Sequence, residues 1–123
     1  MAKLDQLIQQ IRSELGSEFI ATDVVGMDGI SIAGSAADAN FDGAAASARF
    51  AMVMKLASKT SEKLALGDVE DNLATTDQVM VLSRFLGDGS YYWGLAVTKE
   101  ATLGTIRMMM SEYAPQLWDA IPR

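Results

Sequence analysis

Gly43-Ala44-Ala45-Ala46-Ser47-Ala48-Arg49-Phe50-Ala51-Met52-Val53-Met54-Lys55-Leu56-Ala57-Ser58-Lys59-Thr60-Ser61-Glu62-Lys63-Leu64-Ala65-Leu66 is the stretch on which the reading of this chain turns. It predicts one long helix over 43–66, with Asn40 or Asp42 as N-cap and Gly67 as the stop. At about 100° per residue, Ala46, Phe50, Val53, Met54, Ala57 and Leu64 fall on one broad apolar stripe. Ala45, Ala48, Met52 and Leu56 form a second stripe roughly 130° away. Ser47, Lys55, Ser58 and Glu62 take the remaining arc. A surface helix needs one apolar stripe, so two stripes predict two covered surfaces. One faces the chain's own sheet. The other faces either a second molecule or the chain's own loops, and the small residues at the N-terminal end suit close approach of another helix. Lys55, Lys59 and Lys63 recur every four residues, which reads as a solvated face or as a docking patch for an acidic partner.

Before this helix, Leu4, Leu7, Ile8, Ile11 and Leu15 follow helical spacing over 2–15, and Gly16 ends the pattern. Residues 18–35 read as a hairpin, with Phe19, Ile20, Val24 and Val25 in one strand, Asp28-Gly29 at the turn and Ile30–Ala33 alternating in the second. After the long helix, 68–98 predicts three strands. Val69–Thr76 is polar enough for a sheet edge. Val79–Leu86 and Ser90–Thr98 are nearly continuous apolar runs, as expected of strands covered on both faces, and the Gly87-Asp88-Gly89 turn joins them. A last helix covers 100–114 and is expected to end at Pro115, leaving 115–123 as a tail whose Leu117, Trp118 and Ile121 pack back onto the domain or onto a partner. The order α-β-β-α-β-β-β-α predicts an α+β fold: a five-stranded antiparallel sheet with helices on both faces, one domain over 1–123.

Composition excludes several function classes. The 123 residues include no His and no Cys, and the net charge is -6. Without His or Cys the usual nucleophile triads cannot be built, and thiolate or imidazole metal sites are gone. Ser58-Lys59 and Ser61-x-Lys63 are too close along a helix to face each other. No phosphate-cradling G-x-x-x-x-G-K-[ST] or G-x-G-x-x-G occurs, and Gly87-Asp88-Gly89 joins two strands rather than opening a helix. Asp68, Glu70 and Asp71 lack the spacing of a calcium loop, and Met108, Met109 and Met110 point in different directions on a helix. An acidic chain whose nearest approach to a basic cluster is Lys55, Lys59 and Lys63 is unsuited to nucleic acid. No run is apolar enough to span a bilayer, and the start is amphipathic, so the expected setting is the cytoplasm. These readings point away from an enzyme, a cofactor or a metal.

The hairpin Ile20–Ala33, the alanine-rich start of the long helix and the segment Val79–Val97 with its Asp88-Gly89 turn carry a resemblance. Over nearly the whole chain, the sequence resembles the roadblock/dynein-light-chain family, including its bacterial and archaeal branch. The resemblance implies a homodimer, or a heterodimer with a related chain, in which the long helices pack side by side and the edge strands pair. Here it implies an interface of Ala45, Ala48, Arg49, Met52 and Leu56 with Val69, Leu73 and Thr75 of the edge strand. It further implies a scaffold that binds a Ras-like small GTPase, or an adaptor of a larger complex. Arg49 would then line the seam and not act as an arginine finger. A ligand-sensing domain is the rival reading, with Tyr91, Tyr92 and Trp93 around a pocket, and a cavity against the sheet is what would separate the two.

Overall fold

The computed structural model describes residues 2–123. The elements are α1 (Ala2–Leu15), a single 3-10 turn over Gly16–Glu18, β1 (Phe19–Gly26), β2 (Ser31–Ala36), α2 (Gly43–Lys63), β3 (Asp71–Thr75), β4 (Val79–Leu86), β5 (Tyr91–Thr98) and α3 (Leu103–Ala120). Together they are the expected α-β-β-α-β-β-β-α order. The strands form one antiparallel sheet in the order β2-β1-β5-β4-β3, so β2 and β3 are its edges. Asp28 Oδ1 accepts from the Ile30 N–H at 3.0 Å, and Gly29 takes φ +87° to complete the β1–β2 turn.

Two helix layers cover the sheet unequally. α1 and α3 lie on one face and bury Leu4, Leu7, Ile8, Ile11, Ile106 and Leu117 against Val24, Leu82, Leu95 and Val97. Trp93 lies in this layer, wholly buried. Its indole N–H donates to Thr22 Oγ1 at 2.7 Å, and that hydroxyl donates to the Gly94 carbonyl at 2.7 Å, so no polar atom of the pair is left unbonded. The other layer is the single helix α2, whose Ala51 and Met54 pack with Val25 and Tyr92 in a much smaller cluster.

Two expectations are corrected. Pro115 does not end the last helix; α3 runs through it to Ala120. Proline costs the Ser111 carbonyl its helical bond, but Ser111 is exposed and water can serve it, while Leu117 and Ile121 are buried in the core and hold the extra turn in place. Nor is β4 covered on both faces. α2 rests mainly on β1, β2 and β5, and Val79, Val81 and Phe85 stay only half-buried on the α2 side.

The β2 edge is capped by α1. Arg12 Nη1 donates to Ser35 Oγ at 2.8 Å and to the Ala36 carbonyl at 3.3 Å, with the guanidinium lying over the Phe19 ring. Among the described residues no side chain hydrogen-bonds the backbone of β3.

Candidate functional site

Asp42 caps α2: its Oδ1 accepts from the Ala45 N–H at 3.0 Å. From there the helix turns Ser47, Ala51 and Met54 inward, with Ala46, Phe50 and Ala57 half-buried beside them. Ser47 therefore does not belong to the polar arc where its hydroxyl would place it. It is 2% exposed; its Oγ donates to Asp23 Oδ2 at 3.0 Å, and its carbonyl accepts from the Tyr92 hydroxyl at 2.6 Å. Asp23 stands on β1 beneath the helix and is also bonded by Ser31 Oγ. A carboxylate in that position requires donors, and this rotates the inward stripe towards Ser47 and Ala51. Val53 and Leu64, expected against the sheet, are accordingly 39% and 64% exposed. Burial raises the Asp23 pKa above the ordinary carboxylate range against the lowering effect of its two serine bonds. Burial, with the Asp23 charge adding, also holds the Tyr92 phenol neutral well above its usual range.

The second stripe is bare. Ala45, Ala48, Arg49, Met52 and Leu56 are all exposed, Met52 and Leu56 by 67% each, although Gly29 of the β1–β2 turn lies close against Ala48. Met52, Val53 and Leu56 are thus exposed apolar residues on α2, and Leu64 and Leu66 are exposed just beyond its end. Lys55, Lys59 and Lys63 are exposed on the same helix. The edge-strand residues are less unified. Val69 lies in the segment before β3, Thr75 is exposed, and Leu73 packs against the α1/α3 core on the opposite side of the sheet. On β3 it is Asn72 and Ala74, opposite Ser83 and Val81, that alternate to the α2 side. Period-two alternation from a half-buried Leu73 is the signal that would have chosen them.

Between α2 and the sheet lies a cleft of about 400 Å³, lined almost wholly by apolar atoms. Of the three aromatic residues expected around a pocket, only Tyr92 lines it. Tyr91 meets Trp118 edge-on, with ring centroids 6.4 Å apart, and Trp93 points into the other layer.

Elsewhere the chemistry is structural. Asp71 forms a two-pronged bond to Arg107 at 3.0 Å, which removes it from the acidic trio with Asp68 and Glu70. Met109 and Met110 are buried while Met108 is exposed, so the three thioethers do not converge. Among the described residues no cluster of three or more His, Cys, Asp or Glu is gathered, and no helix is long and apolar enough to cross a membrane.

No protein-family model and no curated protein matches the sequence. Solved structures do match the fold. MglB of Myxococcus xanthus superposes with a TM-score of 0.86 at 10% identity, covering 97% of this chain and 94% of that one. A structure described as MglB with tetrameric arrangement gives 0.83 at 11% identity, over 97% and 90%. A Roadblock/LC7 domain from Streptomyces avermitilis gives 0.77 at 15% identity, over 92% and 96%. The fold of this chain is that of the roadblock/LC7 domain.

Proposed function

We propose that this chain is a non-enzymatic cytoplasmic scaffold that pairs with a second copy of itself and binds a Ras-like small GTPase, modulating its nucleotide state or its assembly. The observation that carries the reading is the uncovered apolar tract on α2 lying on the same chain as an unpaired edge strand, β3. A contiguous apolar tract of this kind on a folded domain marks a surface that another protein covers. In the proposed pair, Ala45, Ala48, Arg49, Met52 and Leu56 of one α2 meet those of its partner. The backbone of β3 pairs across the same axis, bringing Val69, Leu73 and Thr75 to the seam, with Leu73 contributing main chain more than side chain.

The roadblock fold supports the GTPase part, together with the sequence resemblance to regulators of such GTPases. Lys55, Lys59 and Lys63 form the exposed basic flank that an acidic switch surface would meet. Catalysis is not required of this chain; it acts by favouring one conformation of a bound partner through differential contacts. An adaptor without a GTPase is the alternative. The test is to immobilise the full chain and pass native cytosol over it with a GTP analogue or with GDP, then identify what is retained. Retention of a small GTPase in one nucleotide state supports the reading, and retention of none in either state removes the GTPase from it.

A further inference from the structure

The cleft beneath α2 has a cause that can be traced rung by rung across the sheet. Asp23, Gly94 and Ser83 stand opposite one another on β1, β5 and β4. The next rung is Ala21, Ala96 and Val81. On the other side of the first rung stand Val25, Tyr92 and Phe85, whose bulk fills the space under the helix. The floor therefore drops where a glycine and two alanines replace large side chains, and Phe41 and Phe50 stand over the depression. The space is real at the level of single atoms: a Cβ built on Gly94 would meet nothing nearer than the Tyr92 ring at 3.6 Å.

One atom in this floor is unsatisfied. Ser83 is 1% exposed, lines the cleft, and its Oγ has no hydrogen-bond partner. A buried hydroxyl without a partner is an exception among folded proteins, where such groups are nearly always bonded. Apolar walls around a few polar groups, at a volume of several hundred Å³, are the usual make-up of a small-molecule site. The charged residues lining the cleft are Asp23 and Asp42, both acidic. Both Asp23 oxygens are engaged, by Ser31 and Ser47, and Asp42 Oδ1 is engaged by the Ala45 N–H at the exposed mouth of the cleft. An anionic ligand meets no countercharge here, and a cationic one meets carboxylates already bonded.

We propose that the cleft binds a small, uncharged, largely apolar molecule whose single hydroxyl, carbonyl or N–H group bonds to Ser83 Oγ, that hydroxyl, closed to water within the floor, turning outward to meet it. The site is separate from the outward face of α2 and does not depend on the GTPase reading. Because α2 roofs it, occupancy would set how firmly the helix is held against the sheet.

The test uses the neutral fluorescent probe N-phenyl-1-naphthylamine on the full chain. Saturable binding of one probe per chain is expected, displaced by decanol and not by decanoate. Gly94→Val fills the floor and should abolish binding while leaving cooperative unfolding intact; Ala96→Ile serves if that variant does not fold. Ser83→Ala should weaken binding about fivefold, the worth of one neutral hydrogen bond. The proposal is overturned if the wild-type chain shows no saturable binding, or if Gly94→Val or its substitute binds the probe as well as wild type. It is equally overturned if Met52→Glu removes binding that Gly94→Val retains, since the probe would then sit on the outer face of α2.

Discussion

Replacing Met52 tests the proposed pairing most directly, and the structure sets the size of the effect. Full burial of a Met or Leu side chain is worth about 1.5–3 kcal/mol. Met52 is 67% exposed in the single chain, so covering the remainder gains about 1–2 kcal/mol. A symmetric pair buries the residue twice, which makes about 2–4 kcal/mol per dimer. Met52→Ala forfeits most of this, and at 1.4 kcal/mol per tenfold the dimer dissociation constant should rise roughly 30-fold to several-hundred-fold. Met52→Glu goes further, because each protomer then brings an unpaired carboxylate to an axis where its twin repels it, so the protein should be monomeric. Both substitutions keep a good helix former at an exposed helical position, so the fold itself should change by no more than about 0.5 kcal/mol. Sedimentation velocity over a concentration series reads the association, and urea denaturation checks the fold. A folded Met52→Glu protein that associates as tightly as wild type would refute the placement of the seam. A wild-type chain that stays monomeric throughout the series would refute the pairing altogether.

Three further outcomes follow from the interior. Thr22→Val keeps the shape but strands the Trp93 indole N–H in the core, so unfolding free energy should fall by about 1–3 kcal/mol in urea titration; a neutral result would mean the bond contributes nothing. Gly87 has φ +53°, and a Cβ there would fall inside the Trp118 indole. Gly87→Ala should therefore cost at least the roughly 1–2 kcal/mol of a left-handed residue, and a smaller loss would show that Trp118 moves freely off the turn. The folded pKa of Asp23 is raised above its unfolded value, so its protonated form favours folding. That contribution is present at low pH and lost as pH rises through the folded pKa. Relative to Asp23→Asn, wild type should thus gain stability as pH is lowered from neutral into the carboxylate range. Parallel urea titrations across pH measure the gap, and its movement in the opposite direction would show that the two serine bonds outweigh burial.

The fold was legible because each element carried its own period. Leu4, Leu7, Ile8, Ile11 and Leu15 announced α1 to the residue, and the Asp28-Gly29 turn with its flanking apolar residues announced the β1–β2 hairpin. What local pattern misplaced was decided by partners distant in sequence. Ser47 looks solvent-facing until Asp23, 24 residues earlier, is found to need its hydroxyl. Pro115 looks like a stop until Leu117 and Ile121 are found buried beyond it. At the candidate site, the second stripe with Met52 and Leu56 could be read in advance because it is a property of one helix; whether the chain's own loops cover it could not. The cleft could not, since it arises from Gly94, Ala96 and Ala21 becoming neighbours only when β1 and β5, from opposite ends of the chain, lie side by side.

Arg12 gives the two rims of the sheet different fates. By tying Ser35 and the Ala36 carbonyl to α1, it anchors the last residues of β2, while no described side chain bonds the main chain of β3. In the proposed pair the molecule would be, in polymer terms, monofunctional: a unit with one reactive end terminates growth in the act of joining. If two chains pair β3 to β3 as proposed, both open ends are consumed at once and the sheet doubles and then stops, where a chain open at both rims would add units into a fibre.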